Sequence, residues 1–254
     1  MDAIQGTYEK DGFVVFTDLF SDLELDAIYQ AILEHHHNWI IDNKSFYNSH
    51  AINSYNLTGF DYIGQTEKQR LFDFISLEKI TDIVEKLIGK NAVFIGTQLF
   101  FDPFNPERKN YWHRDIQYSD LAIDVQKQAL LTQNPFHFRI PLKDERGIEL
   151  IPGSHRAWDR PKEYDVRLER HGHQNFEDLE RGVQIPLSKG DMLVFNANMI
   201  HRGLYGNDRL TLDILFSDYF PDIEKFVQKD SLPKQSKDMA FPFKNALQLL
   251  PSKV

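Results

Sequence analysis

Cysteine is absent from all 254 residues. That excludes disulfides, thiolate zinc sites and cysteine nucleophiles together, and leaves histidine and carboxylate to hold any metal. No run approaches 18 uninterrupted apolar residues, so no membrane-spanning helix is expected. The opening MDAIQGTYEK is polar, without a basic segment leading into an apolar one, which predicts a soluble cytoplasmic chain with no membrane partner. Lys/Arg-rich stretches are missing too, and the formal net charge is -9, so nucleic acid is not an expected partner. Repeats and low-complexity stretches are also lacking. What is present, 41% hydrophobic and 13% aromatic residues, suffices for an ordinary globular core, and a single domain over 1-254 is expected.

Residues 12-16, GFVVF, form a short β-rich run. Ser21 followed three residues later by Glu24 has the spacing of a capping box, with Leu25, Ile28 and Ile32 on one face of the helix it opens. A second helix is predicted from Leu77, Ile80, Ile83, Val84, Leu87 and Ile88, ending at Gly89 as a left-handed cap. These two helices make the first 90 residues the helical part. From residue 91 to about 220 the period changes to that of strands: AVFIGTQLFF, PFHFRIPL, GIELIPGS, VQIPL, MLVFNANMIHRG and RLTLDILFSDYF. Phe136, Phe138 and Ile140 alternate with His137 and Arg139, and Leu210, Leu212, Ile214 and Phe216 with Arg209, Thr211 and Asp213. Each strand so has one apolar and one polar face, as a barrel or sandwich around a polar cavity requires. The charged stretch 156-182 is expected to be a solvated insertion, with a cover over the barrel mouth as the alternative. The tail from 221 to 254 is expected to be loop and short helix.

His113 and Asp115, in YWHRDIQ, are two apart on an expected strand, so both side chains leave the same face and can grip one ion. Alone this is a weak signal. His201, at the end of MLVFNANMI, supplies a third ligand, and two histidines with one carboxylate on one face of a metal match the facial triad of non-haem Fe(II) oxygenases. Arg209 opens the next strand, where its planar fork suits the carboxylate of a dicarboxylate cosubstrate.

These residues resemble the phytanoyl-CoA dioxygenase-like branch of the Fe(II)/2-oxoglutarate oxygenases. GFVVFTDLFSDLEL is similar to that family's opening strand and helix, YWHRD to its His-x-Asp segment, IELIPGSHR to its most characteristic stretch, KGDMLVFNANMIHRG to the strand of the second histidine, and GNDRLTLDI to the strand of the cosubstrate arginine. The resemblance implies a mainly β fold with flanking helices, a double-stranded β-helix or jelly roll. It implies Fe(II) on His113, Asp115 and His201, with 2-oxoglutarate and O₂ as cosubstrates and Arg209 on the far carboxylate. Oxidative decarboxylation would then drive hydroxylation of an unactivated carbon of a small-molecule metabolite. Relatives that halogenate carry a small residue in place of the carboxylate, so Asp115 favours hydroxylation, with desaturation or ring closure open. Gln98 resembles a position that contacts the cosubstrate in relatives, and a plain solvent-facing amide is its alternative. Gly203 stands where relatives often carry a small hydroxyl residue, and Thr211, two after Arg209, is a candidate replacement. The KDERG link before the IPGSH stretch is expected to be a short hairpin without functional consequence.

Each assignment has a plainer counterpart. His113 and His201 would otherwise be core histidines, and Arg209 a structural ion pair with Asp213 or Asp208. His35, His36 and His37 are expected to close the first helix at a solvated end, and Ser154 with His155 to be turn residues. Arg139 is expected to point into the barrel and meet an anionic group of the substrate or Glu149, with an exposed strand arginine as the alternative. The rivals to the whole scheme are a non-catalytic metal-binding jelly-roll protein or sensor, and an oxygenase independent of 2-oxoglutarate.

Overall fold

The computed structural model describes residues 3-233, 242 and 243, so most of the expected tail lies outside the described residues. Five helices, not two, precede or interleave with the first strands: α1 (Ala3–Asp11), α2 (Asp22–Asp42), α3 (Lys44–Ser49), α4 (Gln65–Ile75) and α5 (Glu78–Leu87), with β1 (Phe13–Phe16) and β2 (Asn53–Tyr55) among them. The Ser21 hydroxyl accepts from the Glu24 backbone N–H while the Glu24 carboxylate accepts from Ser21, closing the capping box. Two orphan donors of the helix start are thereby satisfied. At the far end of α5 the chain leaves through Gly89 at φ +97°, a left-handed position glycine adopts without Cβ strain.

The histidine run does not close α2. That helix continues to Asp42, which leaves His35 fully buried with its ring against the edge of Tyr62, and His36 against Phe101. Burial pulls both imidazoles down to about 4, so they serve as neutral packing rings.

The remaining strands are β3 (Val93–Phe101), β4 (Pro135–Pro141), β5 (Glu145–Leu150), β6 (Val183–Leu187), β7 (Met192–Asn196), β8 (His201–Gly203) and β9 (Leu210–Ser217), with α6 (Ile123–Thr132) and α7 (Pro161–Arg167) between them. They form two antiparallel sheets, one ordered β1-β7-β4-β9-β3-β2 and one ordered β6-β5-β8. The outward face of the larger sheet, including Phe138, Ile140, Leu212, Ile214 and Phe216, joins Ile28, Ile32, Phe72 and Ile80 of the helices in the main core. Its inward face reaches the smaller sheet through Leu193 and Phe195 against Ile148, Leu150 and Leu187. The alternation read from β4 and β9 thus separates a helix-covered apolar face from an interior polar one.

KDERG is not a hairpin. β4 and β5 belong to different sheets, and this link carries the chain across the cavity between them. A bulge between Glu145 and Ile148 bends the entry of β5, and Gly147 at its centre has φ +80°. A Cβ there would stand 1.7 Å from the Ile185 carbonyl oxygen, so only glycine fits.

The stretch 156-182 is solvated along about half of its residues, but the others pack against the fold. Val166 and Leu179 join Trp112, Ile151 and Ile200 in a separate apolar cluster. Below it, Asp159 accepts from Arg114 at 2.7 Å and from Arg167 at 2.6 Å, all three side chains being buried. These three charges satisfy one another indoors, which charged composition alone does not reveal. Among the described residues no helix is long and apolar enough to cross a membrane.

Candidate active site

The segment carrying His113 and Asp115 is not a strand. His113 makes a single antiparallel bridge to His201, with N–H to carbonyl bonds of 2.9 Å in both directions, and Asp115 opens one turn of 3₁₀ helix through Tyr118. The Asp115 backbone N–H donates to the Ala197 carbonyl at 3.0 Å, which pins that turn beside the end of β7. Arg114 between them turns the other way, donating to the carbonyls of Ser154, Ala157 and Asn198 as well as to Asp159. This anchoring sets the two ligand candidates facing His201 without strand geometry.

The ligand atoms of His113, Asp115 and His201 all lie within 4.8 Å of one another. Each imidazole is set in one tautomer: His113 Nδ1 donates to the Tyr111 carbonyl at 3.1 Å and His201 Nδ1 to the Met199 carbonyl at 2.9 Å. A carbonyl only accepts, so Nδ1 carries the proton and Nε2 keeps its lone pair for the centre of the cluster. Burial lowers the pKa of both rings, His201 most, and so favours the neutral form that binds metal.

His137, which in the sequence is only one member of a polar strand face, completes the arrangement. Its Nε2 donates to Asp115 Oδ2 at 2.9 Å and its Nδ1 to Asp213 Oδ2 at 2.7 Å. Burial works toward the neutral ring, but the hydrogen bonds and charges of Asp115 and Asp213 outweigh it, and the pKa is pushed up to about 9. Asp213 in turn accepts from Arg139 Nε and Nη2, each at 3.0 Å. Arg139 therefore points inward and meets Asp213, not Glu149. The Glu149 carboxylate is taken by Arg202 at 2.7 Å, whose guanidinium also lies over Trp112. The available signal for His137 was its position on the same strand face as Arg139.

Arg209 lies in neither of the ion pairs that were weighed. Asp208 binds Lys143 and Asp213 binds Arg139, while Arg209 Nε donates to Glu145 Oε2 at 3.2 Å. The Thr211 hydroxyl donates to the same Glu145 oxygen. Glu145, supplied by the link judged to be without consequence, thus orients both residues. Gly203 is part of the same packing: a Cβ on it would lie 2.7 Å from Arg209 Nη1, so the missing side chain makes room for the guanidinium. Phe100 lies under both guanidiniums, 4.6 Å from Arg139 and 5.3 Å from Arg209.

A cavity of about 320 Å³ opens between these groups, lined by Gln98, His113, Asp115, Arg139, His201 and Arg209, with Asn53, Tyr111, Tyr118 and Tyr205 at its edge. Three buried polar atoms beside it lack a hydrogen-bond partner: Arg209 Nη2, Arg139 Nη1 and Glu145 Oε1. Unpaired guanidinium N–H groups in such a place call for an anion. The cations His137, Arg139 and Arg209 equal the carboxylates Asp115, Glu145 and Asp213 in number. The site is thus balanced before a divalent cation and a dianion enter, and those two cancel. The residues fit Fe(II) and 2-oxoglutarate together. Gln98 lines this cavity and also a second one behind Asp115, whereas Thr211 is fully buried outside the lining, its hydroxyl spent on Glu145. Ser154 is structural, its hydroxyl bridging the Ile151 carbonyl and the Ile200 N–H.

The comparisons with known proteins agree with this architecture. The chain is 25% identical over 149 residues to the peroxisomal phytanoyl-CoA dioxygenase of Homo sapiens, a match over 53% of this chain that spans only 41% of the human protein. Among solved structures, EctD from S. alaskensis in its apoform superposes with a TM-score of 0.59 at 14% identity, covering 93% of this chain and 82% of that one. HygX from Streptomyces hygroscopicus, with nickel and 2-oxoglutarate bound, gives 0.59 at 13% identity, with 87% and 88% covered. At these identities the likeness is one of fold. The model of the family described as phytanoyl-CoA dioxygenase (PhyH) matches residues 8-205, and the chain belongs to that family.

Proposed function

We propose that this chain is an Fe(II)/2-oxoglutarate-dependent dioxygenase that hydroxylates an unactivated carbon of a small molecule. The two sheets are the halves of a double-stranded β-helix within one domain. One observation carries the reading: the triad His113, Asp115 and His201 shares a cavity with the unpaired N–H groups of Arg209 and Arg139. A metal-binding protein without turnover has no need of buried cations aimed at the same cavity, and neither has an oxygenase independent of 2-oxoglutarate.

Iron bound there supplies the activation of O₂ coupled to decarboxylation of 2-oxoglutarate. His113 and His201 would hold it through Nε2, and Asp115 through Oδ1. His137 occupies the other Asp115 oxygen, which would leave Oδ1 as the one free to bind the metal. Arg209, oriented by Glu145, takes the distal carboxylate of 2-oxoglutarate, with Arg139 as a second donor. Gln98 would complete the polar wall around it, and Thr211 would act only by helping to hold Glu145. Holding a cosubstrate by its far end would orient its reacting end toward the triad, which is where positioning lowers a barrier.

The test is an anaerobic titration with Fe(II) and 2-oxoglutarate, followed by O₂ exposure with a metabolite extract and mass analysis of succinate and of products that gain oxygen. His113→Ala, Asp115→Ala and His201→Ala should each lose bound iron, by elemental analysis, and all turnover. A fully active His201→Ala enzyme would dismiss the triad, and iron binding without any 2-oxoglutarate binding would leave the metal-binding protein as the better description.

A further inference from the structure

The interior face of the larger sheet changes character along its length. On β9 it runs Arg209, Thr211, Asp213, Leu215, Ser217, and on β4, in the opposite direction, Arg139, His137, Pro135. The charged end builds the cavity described above. The other end, beyond His137 and Asp115, opens into a second cavity of about 370 Å³. Ile95, Pro135, Leu215, Phe220, Ile223 and Phe226 make its apolar wall. The two cavities share Gln98, Asp115, Tyr118 and His137, so a molecule in the second one abuts the metal candidate directly.

No Lys, Arg or free-standing carboxylate of the described residues lines this chamber: its only charged groups are Asp115 and His137 at the floor. The polar contributions are amides and hydroxyls, from Gln98, Gln133, Asn198, Gln228, Ser119 and Ser217. Asn198 is distinctive. It is 2% exposed, and its side-chain Nδ2 has no hydrogen-bond partner. A buried amide N–H without an acceptor is costly to leave so, and here it borders a space walled by apolar side chains and neutral polar groups. An ion placed in the chamber would give up part of its hydration and meet no countercharge beyond Asp115 and His137 at the floor, which already pair with each other and, for His137, with Asp213.

Resting on the oxygenase reading above, we propose that this chamber is the substrate site and that it takes an uncharged, largely apolar molecule bearing a hydrogen-bond acceptor, such as a carbonyl, ether or hydroxyl oxygen, directed at Asn198. A carboxylate, a phosphate ester or a coenzyme A thioester carried into the chamber by its charged end does not suit it. Arg139, for which the sequence offers an anionic substrate group, a neighbouring acid or an exposed strand position, is paired with Asp213 and lines the other cavity.

The experiment uses three probes of nearly one shape on the full chain loaded anaerobically with Fe(II) and 2-oxoglutarate: 1-naphthaleneacetamide, 1-naphthaleneacetate and 1-naphthalenemethylammonium. Binding is read by calorimetric titration, and 2-oxoglutarate binding is titrated separately on the same preparation. The neutral amide should bind at least about tenfold more tightly than either ion, and Asn198→Ala should weaken the amide by about tenfold, the scale of one net hydrogen bond. Gln133→Arg, at a half-exposed wall position, should move the preference toward the acetate. Equal or tighter binding of an ion by the unaltered protein, or no binding of any probe while 2-oxoglutarate binds, overturns the substrate assignment and leaves the oxygenase reading standing. Failure of 2-oxoglutarate itself to bind removes that reading instead.

Discussion

Asp115 presents its two oxygens to different neighbours: Oδ2 accepts from His137 Nε2 at 2.9 Å, while Oδ1 lies 3.7 Å from His113 Nε2 and 3.6 Å from His201 Nε2. The carboxylate is therefore oriented before any metal arrives. His137→Ala frees it to rotate, and metal affinity should fall by about ten- to a hundredfold, the usual cost of losing a partner behind a ligand. Anaerobic Co(II) or Fe(II) titration measures this. Partial recovery in His137→Gln, whose amide can still donate to Asp115, would separate orientation from charge, and unchanged affinity in both variants would show that Asp115 is held by its backbone alone.

The same histidine makes stability depend on pH. Its folded pKa is raised from 6.5 to about 9 by Asp115 and Asp213 against the opposing effect of burial. A raised pKa contributes stability that is fully present below 6.5 and is lost as pH rises through about 9, on the order of 3 kcal/mol for a shift of this size. Urea denaturation of the metal-free protein should show this decline across that window. In His137→Gln the decline should be absent, and an equal decline in the variant would place its origin elsewhere.

Arg209 depends on the space above Gly203. Gly203→Ala puts a methyl group 2.7 Å from Nη1 and must displace the guanidinium. The apparent affinity for 2-oxoglutarate should drop, though less than in Arg209→Ala, where losing a buried charge-assisted contact costs about 2 to 5 kcal/mol. Arg209→Lys should not restore it, because a point charge cannot reproduce the planar fork held by Glu145. Equilibrium titration of 2-oxoglutarate into the three variants decides the order.

Arg114 should prove structural despite lying between two ligand candidates. Arg114→Met leaves Asp159 with Arg167 alone and three carbonyls short of a donor, and unfolding free energy should fall by about 3 to 5 kcal/mol, as for other broken buried pairs. Chemical denaturation with far-UV detection reads it. A variant of normal stability that had lost only metal affinity would instead make Arg114 a direct determinant of the site.

Much of the architecture was present in the order of residue types. The capping box at Ser21 and Glu24, the apolar stripe of α5 and the strict alternation of β4 and β9 are local patterns, and backbone geometry converts each into an element with a defined buried face. The order His113, Asp115, His201, Arg209 pointed to one chemistry because few sites need that combination. Strand periodicity tells which side chains share a face, but not what stands across from them. Register between β4 and β9 sets His137 and Arg139 against Asp213, and the crossing from one sheet to the other delivers Glu145 to Arg209. The charged stretch 156-182 reads as solvated until Asp159 is found buried between two arginines. The sequence by itself determined the capped helix α2, the apolar stripe of α5 and the two-faced strands, and it singled out His113, Asp115 and His201 as candidates, because those follow from short-range spacing. Only the tertiary structure decided which charges are paired, which N–H groups are left facing a cavity, and where the charged interior gives way to an apolar one, because those depend on contacts between residues far apart in the chain.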